Sequence, residues 1–437
     1  VVSADESLPG GETTVFDEGR YAFSLPARNL TAKERTAFQV GNSFFNRAWV
    51  TAPASTAARD GLGPLFNARS CSACHFRDGR GEPVDTGGSV HDSLLFRLSV
   101  GTAGGGDAPH PVYGGQLATH AVNGVRPEAL PRVEYEVVSG EFGDGIRYEL
   151  LKPSYRFENA GYGELGEGVR ISPRVSPPVY GLGLLEAVPE AAILASEDPN
   201  DRDGDGISGK ANRVWDIRKG GMSLGRFGWK AGQPSLRQQS AAALVNDIGI
   251  TSKFFEEEAV TTGQANTIGS FASGGDPEIS NDLLERITFY VHTIGVPARR
   301  QLEPARASRG AELFDSLGCA KCHTPRLNTV GRYHIAALAG QTIYPYTDLL
   351  LHDMGEGLAD GRPEGQADGK EWRTPPLWGI GLTEAVNGHT RFLHDGRARN
   401  IEEAILWHGG EGEAARDAYK ALSAADRAIL LDFVNSL

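Results

Sequence analysis

The sequence predicts a mainly α-helical chain built as two related halves, with a small β insertion in the N-terminal half. Three observations carry this expectation. A five-residue C-x-x-C-H pattern occurs twice, as Cys71-Ser72-Ala73-Cys74-His75 and as Cys319-Ala320-Lys321-Cys322-His323. The stretch Pro177-Pro178-Val179-Tyr180-Gly181-Leu182-Gly183-Leu184-Leu185-Glu186-Ala187-Val188, after the first copy, recurs after the second as Pro375-Pro376-Leu377-Trp378-Gly379-Ile380-Gly381-Leu382-Thr383-Glu384-Ala385-Val386, with eight of twelve positions identical. From about residue 90 to 175 the pattern changes to the period-two alternation of strands.

In chain order, residues 1–30 are polar and glycine-rich and are expected to form an irregular arm. Thr31-Ala32-Lys33-Glu34 carries a capping box, and Phe38, Val40, Phe44 and Phe45 supply the apolar positions of the helix behind it. Gly61 to Ser70 leads into the first C-x-x-C-H, and Asp78-Gly79-Arg80-Gly81 is a turn signal. Val133–Val137 and Ile146–Leu150 alternate around a Gly-rich connection, the mark of a hairpin. Ser280–Thr293 reads as a helix with Leu283, Leu284, Ile287, Tyr290 and Val291 on one face. Val296–Pro304 reads as a hinge, Arg309–Phe314 as a short helix feeding the second motif, and Ala424–Leu437 as an amphipathic helix closing the second half. A fainter repeat extends the pattern, since Phe227, Trp229 and Leu236 have the mutual spacing of Phe392, His394 and Ile401. The expected division is an arm 1–30, an N-terminal domain 31–295 with the β insertion at about 90–175 and an acidic loop at about 198–212, and a C-terminal domain 296–437.

The C-x-x-C-H spacing has a specific chemistry. Two thiols at this separation add across the two vinyl groups of haem, and the adjacent histidine reaches the iron. Cys71, Cys74 and His75, and Cys319, Cys322 and His323, are therefore expected to hold two covalently bound haem c groups, with His75 and His323 as iron ligands and each half a cytochrome c-like haem domain. A zinc site built from both cysteine pairs is the alternative; it leaves the two histidines unexplained. The motifs use all four cysteines, so no structural disulfide remains. Asp201, Asp203 and Asp205, then Gly206 and the backbone of Ile207, match the start of a calcium-binding loop, with Asn212 where glutamate is usual at the twelfth position. Ca2+ is expected there; the alternative is an acidic turn.

The net charge of -13 makes nucleic acid a poor partner. Hydrophobic residues make up 40% of the chain, and no apolar run approaches the roughly 18 residues of a membrane span. Haem is normally attached outside the cytoplasm. The start, Val1-Val2-Ser3-Ala4-Asp5, lacks the basic and apolar regions of a signal peptide. The expectation is a periplasmic or otherwise exported chain whose signal has been removed.

These residues resemble the bacterial di-haem cytochrome c peroxidase superfamily, and within it the di-haem oxidoreductase branch, also labelled thiol oxidoreductases. The likeness runs from about Gly41 to His408. It is carried by Gly61 to His75, Tyr346 to Gly361, Glu371 to Gly381 and, most specifically, Phe392 to Gly410. The resemblance implies an electron-transfer haem in the C-terminal half. Its distal ligand in the superfamily follows a segment like Ile401–Trp407; it is methionine in cytochrome c peroxidases and tyrosine in the methylamine dehydrogenase maturation enzyme. Here it is His408, as in the latex-cleaving di-haem oxygenases, which have a histidine-ligated second haem. Met354 is the rival ligand. In the N-terminal half the superfamily places a tryptophan between the haems, a glutamine ten residues on, and then a catalytic glutamate. Trp229 and Gln239 fit, but Asn246-Asp247-Ile248-Gly249 has no glutamate. The distal polar group is then Gln239, Glu186 or Asp247, and His91, His110 and His120 are candidates for a sixth ligand.

The implied function is an exported di-haem oxidoreductase, peroxidase-like, with a C-terminal electron-transfer haem and an N-terminal haem reactive toward peroxide or oxygen. Gln239, Glu186 and Trp229 are its catalytic candidates, and a small redox protein serves as donor or acceptor. The alternative is a di-haem electron carrier without substrate chemistry. The denatured chain is expected to carry the mass of two haems above the polypeptide, with a haemochrome assay giving two per chain.

Overall fold

The computed structural model describes residues 4–56, 58–85 and 88–437; Val1–Ser3, the start of the expected arm, lie outside them. The expectation of a mainly α chain is overturned. About 30% of the chain is helical and 19% is strand, and the strands form six small sheets among the described residues. Two long strand pairs account for most of the difference. Leu130–Glu141 pairs with Arg147–Glu158 as an antiparallel ribbon, and Leu94–Gly101 pairs with Val169–Val175. The second pair buries Leu94, Phe96 and Leu98 fully on one face, an alternation that suits a half-buried strand. Shorter pairs, such as Leu351–Asp353 with Glu371–Arg373, shape the loops around the second motif.

The longer helices begin where local chemistry directs. At Ala32–Asn46 the Thr31 side chain accepts from Glu34 N and the Glu34 carboxylate accepts from Thr31 N, closing the box. The Ser280 hydroxyl accepts from Leu283 N at the start of Asn281–Thr293, which buries Leu284, Ile287, Tyr290 and Val291. These two helices pack together in the first half. In the second half Pro304–Ser316, started by a Glu303 cap and a proline in its first turn, packs on Ala424–Ser436. The connection between halves is well packed: Val296 is fully buried and Arg300 N donates to Ser436 O. The first 30 residues also enter the core, with Phe23 stacked on Tyr180 at 4.2 Å between ring centroids.

The two copies of the twelve-residue repeat meet each other. The Tyr180 hydroxyl donates to Trp378 O at 2.8 Å. Gly181 and Gly379 both adopt positive φ, 71° and 72°, at corresponding places in the two copies. A Cβ on Gly181 would stand 2.5 Å from Trp378 Cζ2, and one on Gly379 would stand 2.5 Å from the Tyr180 hydroxyl. Each aromatic ring thus lies against the glycine of the other copy, and both glycines are required twice over, by conformation and by contact. Replacing either glycine with alanine is expected to lower stability by about 2 kcal/mol or more, read by denaturant unfolding, since the strained backbone and the overpacked ring act together.

Candidate functional site

The first C-x-x-C-H is a single helical turn, Cys71–Cys74. The Ser70 hydroxyl caps it by accepting from Ala73 N, and His75 N donates back to Cys71 O. The second starts after Gly318 as the 3-10 turn Cys319–Lys321, with His323 N donating to Cys319 O. Cys71, Cys74 and His75, and Cys319, Cys322 and His323, all lie on the wall of one cavity of about 820 Å³, together with His408, Trp229 and Gln239.

The three histidines are held alike. Each Nδ1 meets a backbone carbonyl: His75 on Pro177 O at 2.8 Å, His323 on Tyr346 O at 3.0 Å and His408 on Ala404 O at 2.7 Å. A carbonyl only accepts, so each Nδ1 carries the proton and each Nε2 is left with a lone pair and no protein partner among the described residues. Burial pushes His75 and His323 down to about 4, against the opposing pull of those carbonyls, and it lowers His408 as well. Neutral imidazoles with free Nε2 atoms are ready metal ligands. Burial likewise pushes the Cys71 and Cys319 thiols up to about 12. The two cysteine pairs do not converge, because Asp201, Asp203 and Asp205 are the one metal-capable grouping of three or more among the described residues. That removes the zinc alternative, and the donor set fits two haems.

Trp229 is fixed from both sides. Its indole N–H donates to Val175 O at 2.7 Å, two residues before Pro177, and its own carbonyl accepts from Arg373 N of the second half. Gln239 comes from the helix Leu236–Ala243 and its side-chain amide has no protein partner among the described residues. Asp247 follows on the π-turn Leu244–Ile248 and also lines the cavity. Its Oδ1 accepts from Gln116 Nε2 at 2.7 Å, which also donates to Asn67 Oδ1 at 2.9 Å. Burial pushes Asp247 up to about 6, opposed by that hydrogen bond and by Arg97. Gln116 and Arg97 were not among the expected site residues. Both come from the β insertion, and no motif marks them.

Glu186 lies off the cavity. Its carboxylate accepts from His292 Nε2 at 3.0 Å, from the Tyr333 hydroxyl at 2.7 Å and from Leu236 N, so it anchors the helix that carries Gln239. Its repeat counterpart Glu384 is exposed. His91, His110 and His120 do not line the cavity either: His91 bonds Ser93, His110 bonds Leu165 O and His120 faces Asp92. Met354 lines the cavity close to His408. His352 is held between Asp348 and Glu411, and His394 is stacked on Trp372 at 3.8 Å.

In the acidic loop, ligand atoms of Asp201, Asp203 and Asp205 lie within 4.8 Å of one another, and Lys321 Nζ stands 3.0 Å from Asp205 Oδ2. The Ile207 amide donates to Asp205 Oδ1. Asn212 does not serve as the twelfth ligand. Its amide donates to Lys230 O and Glu364 O and its Oδ1 accepts from Gln366 N, so the whole side chain is committed to a buried contact.

Glu186→Gln is expected to cost about 1.5–3 kcal/mol, the range for a hydrogen bond to a charged group, while the haem absorption spectrum stays unchanged. Burial raises the Glu186 carboxyl, but His292, Tyr333 and Leu236 outweigh it and hold the group at about 2, below the ordinary 4.5. Its contribution is therefore complete above pH 4.5 and fades as pH falls toward 2. Unfolding midpoints of the native protein and the variant should converge over that window.

A search of curated proteins finds no match. Among solved structures, hydrazine synthase of Kuenenia stuttgartiensis is similar at 13% identity over 95% of this chain and 94% of that one, with a TM-score of 0.34. The family model described as "Di-haem oxidoreductase, putative peroxidase" matches residues 2–90 and 108–437, and this chain belongs to that family.

Proposed function

We propose that the chain is an exported di-haem c-type oxidoreductase of peroxidase-like chemistry, with its reactive site at His75 and its electron-transfer site at His323 and His408. Family membership makes it a di-haem redox protein. The finer reading rests on one comparison. Ser235 caps the helix that starts at Leu236, and Asn400 caps the helix that starts at Ile401. Seven residues beyond each start stand Ala243 and His408, both on the cavity wall. A methyl group cannot ligate iron where an imidazole can, so the two halves offer different coordination to the same motif.

When bound, the haem at His75 supplies an iron position open to peroxide or oxygen, and that at His323 supplies electrons. The protein does the rest. Asp247, steadied by Gln116 and Asn67, takes the proton of an incoming peroxide, and the free amide of Gln239 orients it. The Asp247 carboxylate acts on the Cys71 and Cys74 side of the cavity, where its charge raises both thiols. Trp229, locked by Val175 and Arg373, holds an aromatic ring between the two sites. Glu186 supports the helix of Gln239 rather than touching substrate.

The same reading covers the remaining features. A small redox protein exchanges electrons with the C-terminal site, and export follows from covalent haem attachment. Among the described residues no helix is long and apolar enough to cross a membrane. Ca2+ binds Asp201, Asp203 and Asp205 once Lys321 moves aside; metal analysis and a chelator melt test this.

Asp247→Asn is expected to slow the reaction with peroxide about 100-fold, the low end for a lost general base, with haem content unchanged. In the native protein the rate should rise with pH through about 6, where Asp247 ionises, and the variant should lose that rise. His408→Ala should turn the C-terminal haem from low-spin to high-spin. An unchanged spectrum would make Met354 the ligand. No reaction with peroxide in oxidised or half-reduced protein would replace this reading with a di-haem electron carrier.

A further inference from the structure

The cavity wall beside His75 carries buried positive charge that the protein does not neutralise. Leu94–Gly101 and Val169–Val175 pair with Leu95 opposite Arg174 and Arg97 opposite Ser172. Arg97 and Arg174 are therefore diagonal neighbours on one face of the ribbon, and both line the cavity. Arg174 Nη1 and Arg362 Nη1 each lie 2.8 Å from the same Glu364 Oε2. The charge of Arg97 falls on that carboxylate too, and despite burial the three arginines hold Glu364 far below the usual carboxylate range. Arg97 also faces the Asp247 carboxylate, so the three guanidinium charges exceed the two carboxylates by one.

The hydrogen bonds are also incomplete. Arg97 donates from Nη1 to Gln116 Oε1 at 3.3 Å, and Arg174 donates from Nε to the Ser172 hydroxyl. Arg97 Nε and Arg174 Nη2 are buried with no partner among the described residues. A buried N–H left open is costly, and an unpaired buried charge more so. Two planar guanidinium groups side by side, with free N–H groups and unbalanced positive charge, suit carboxylates, and phosphates by the same geometry.

The position selects which carboxylates. Arg174 is three residues before Pro177, whose carbonyl holds His75, and the Ser176 hydroxyl between them donates to Cys74 O. A haem fixed at Cys71, Cys74 and His75 brings two propionates, which are carboxylates of the kind these open guanidinium N–H groups suit. We propose that Arg97 and Arg174 form a carboxylate site that takes the propionates of the haem held by His75. This rests on the proposed attachment of haem there.

The test compares Arg97→Gln and Arg174→Gln with Arg97→Lys and Arg174→Lys in the matured holoprotein. Haem content comes first: fewer than two haems per chain overturns the underlying reading and this inference with it. With two haems present, each glutamine variant should lower the midpoint potential of one haem and leave the other unchanged, because removing positive charge disfavours the reduced state. The propionate bending bands in the resonance Raman spectrum should shift in all four variants. The lysine variants, which keep the charge and are the more certain to fold, should keep the potential near the native value. Two haems with native potentials and native propionate bands in every variant would overturn the inference alone. A malonate titration separates the sources of carboxylate. No spectral change in the native protein is expected; a saturable change that Arg174→Lys weakens would assign the site to an anion from solution and overturn the propionate assignment.

Discussion

The backbone carbonyl behind each cavity histidine is the constraint on which the site depends. Pro177 O, Tyr346 O and Ala404 O fix the proton on Nδ1 of His75, His323 and His408, and so turn each Nε2 toward the cavity. Without those bonds a buried ring could choose the other tautomer or rotate away, and the donor would be lost. The requirement reaches far along the chain. Pro177 lies 102 residues from His75, so the first half must close into one packed body before its ligand is oriented. His408 is served more locally, by the carbonyl four residues before it at the end of a short helix.

The halves are tied by buried polar contacts that keep the cavity between them in shape. Lys230 is fully buried, and its ammonium donates to Asp360 Oδ1, Arg362 O and Asp368 O at 2.7–2.8 Å. All three of its protons are therefore placed, which makes a buried charge tolerable. Burial lowers its pKa, and Asp360 opposes that shift. Asn212 grips the same loop through Glu364 O and Gln366 N. The loop then presents Glu364 to Arg174 and Arg362, next to Trp229 on the chain that supplies Lys230. One loop of the second half thus positions both the Trp229 indole and the charged wall.

What the sequence made legible was encoded locally. The C-x-x-C-H spacing, the Thr31–Glu34 box, the helix from Ser280 to Thr293 and the recurring Pro-Pro stretch are each short in sequence, and each stands in the structure as a local feature. The helix expected at Arg309–Phe314 is longer, Pro304–Ser316, because a proline starts it outside the apolar pattern. The β content was underread because the local hairpin runs well beyond its alternating stretch and the other long pairing is remote. Leu94–Gly101 shows its partner only at Val169–Val175, across the whole insertion. Roles set by distant partners were hidden for the same reason. Glu186 meets His292 and Tyr333 at separations of 106 and 147 residues, and nothing near it distinguishes an anchor from a catalytic acid. Asn212 sits at the right count after Asp201, but it points to a loop about 150 residues away.

On the proposed assignment, two like motifs are made unlike by what faces each Nε2. His408 lines the same cavity as His323, and as a second imidazole ligand it would favour the oxidised state relative to a thioether. Beside His75 the wall is cationic: Arg97 and Arg174 share Glu364, and the Arg80 side chain, on the same cavity, donates only to backbone carbonyls. Positive charge favours the reduced state. Propionates would offset the excess at Arg97 and Arg174, but Arg80, over the Trp229 ring at 5.2 Å, keeps its charge. Both effects act in one direction. On that assignment, electrons entering at the His323 side would be drawn toward the His75 side, past an indole that lies under a guanidinium, to where Asp247 would manage the accompanying proton. The polarity comes from the side chains set around the motifs, since the motifs themselves are alike.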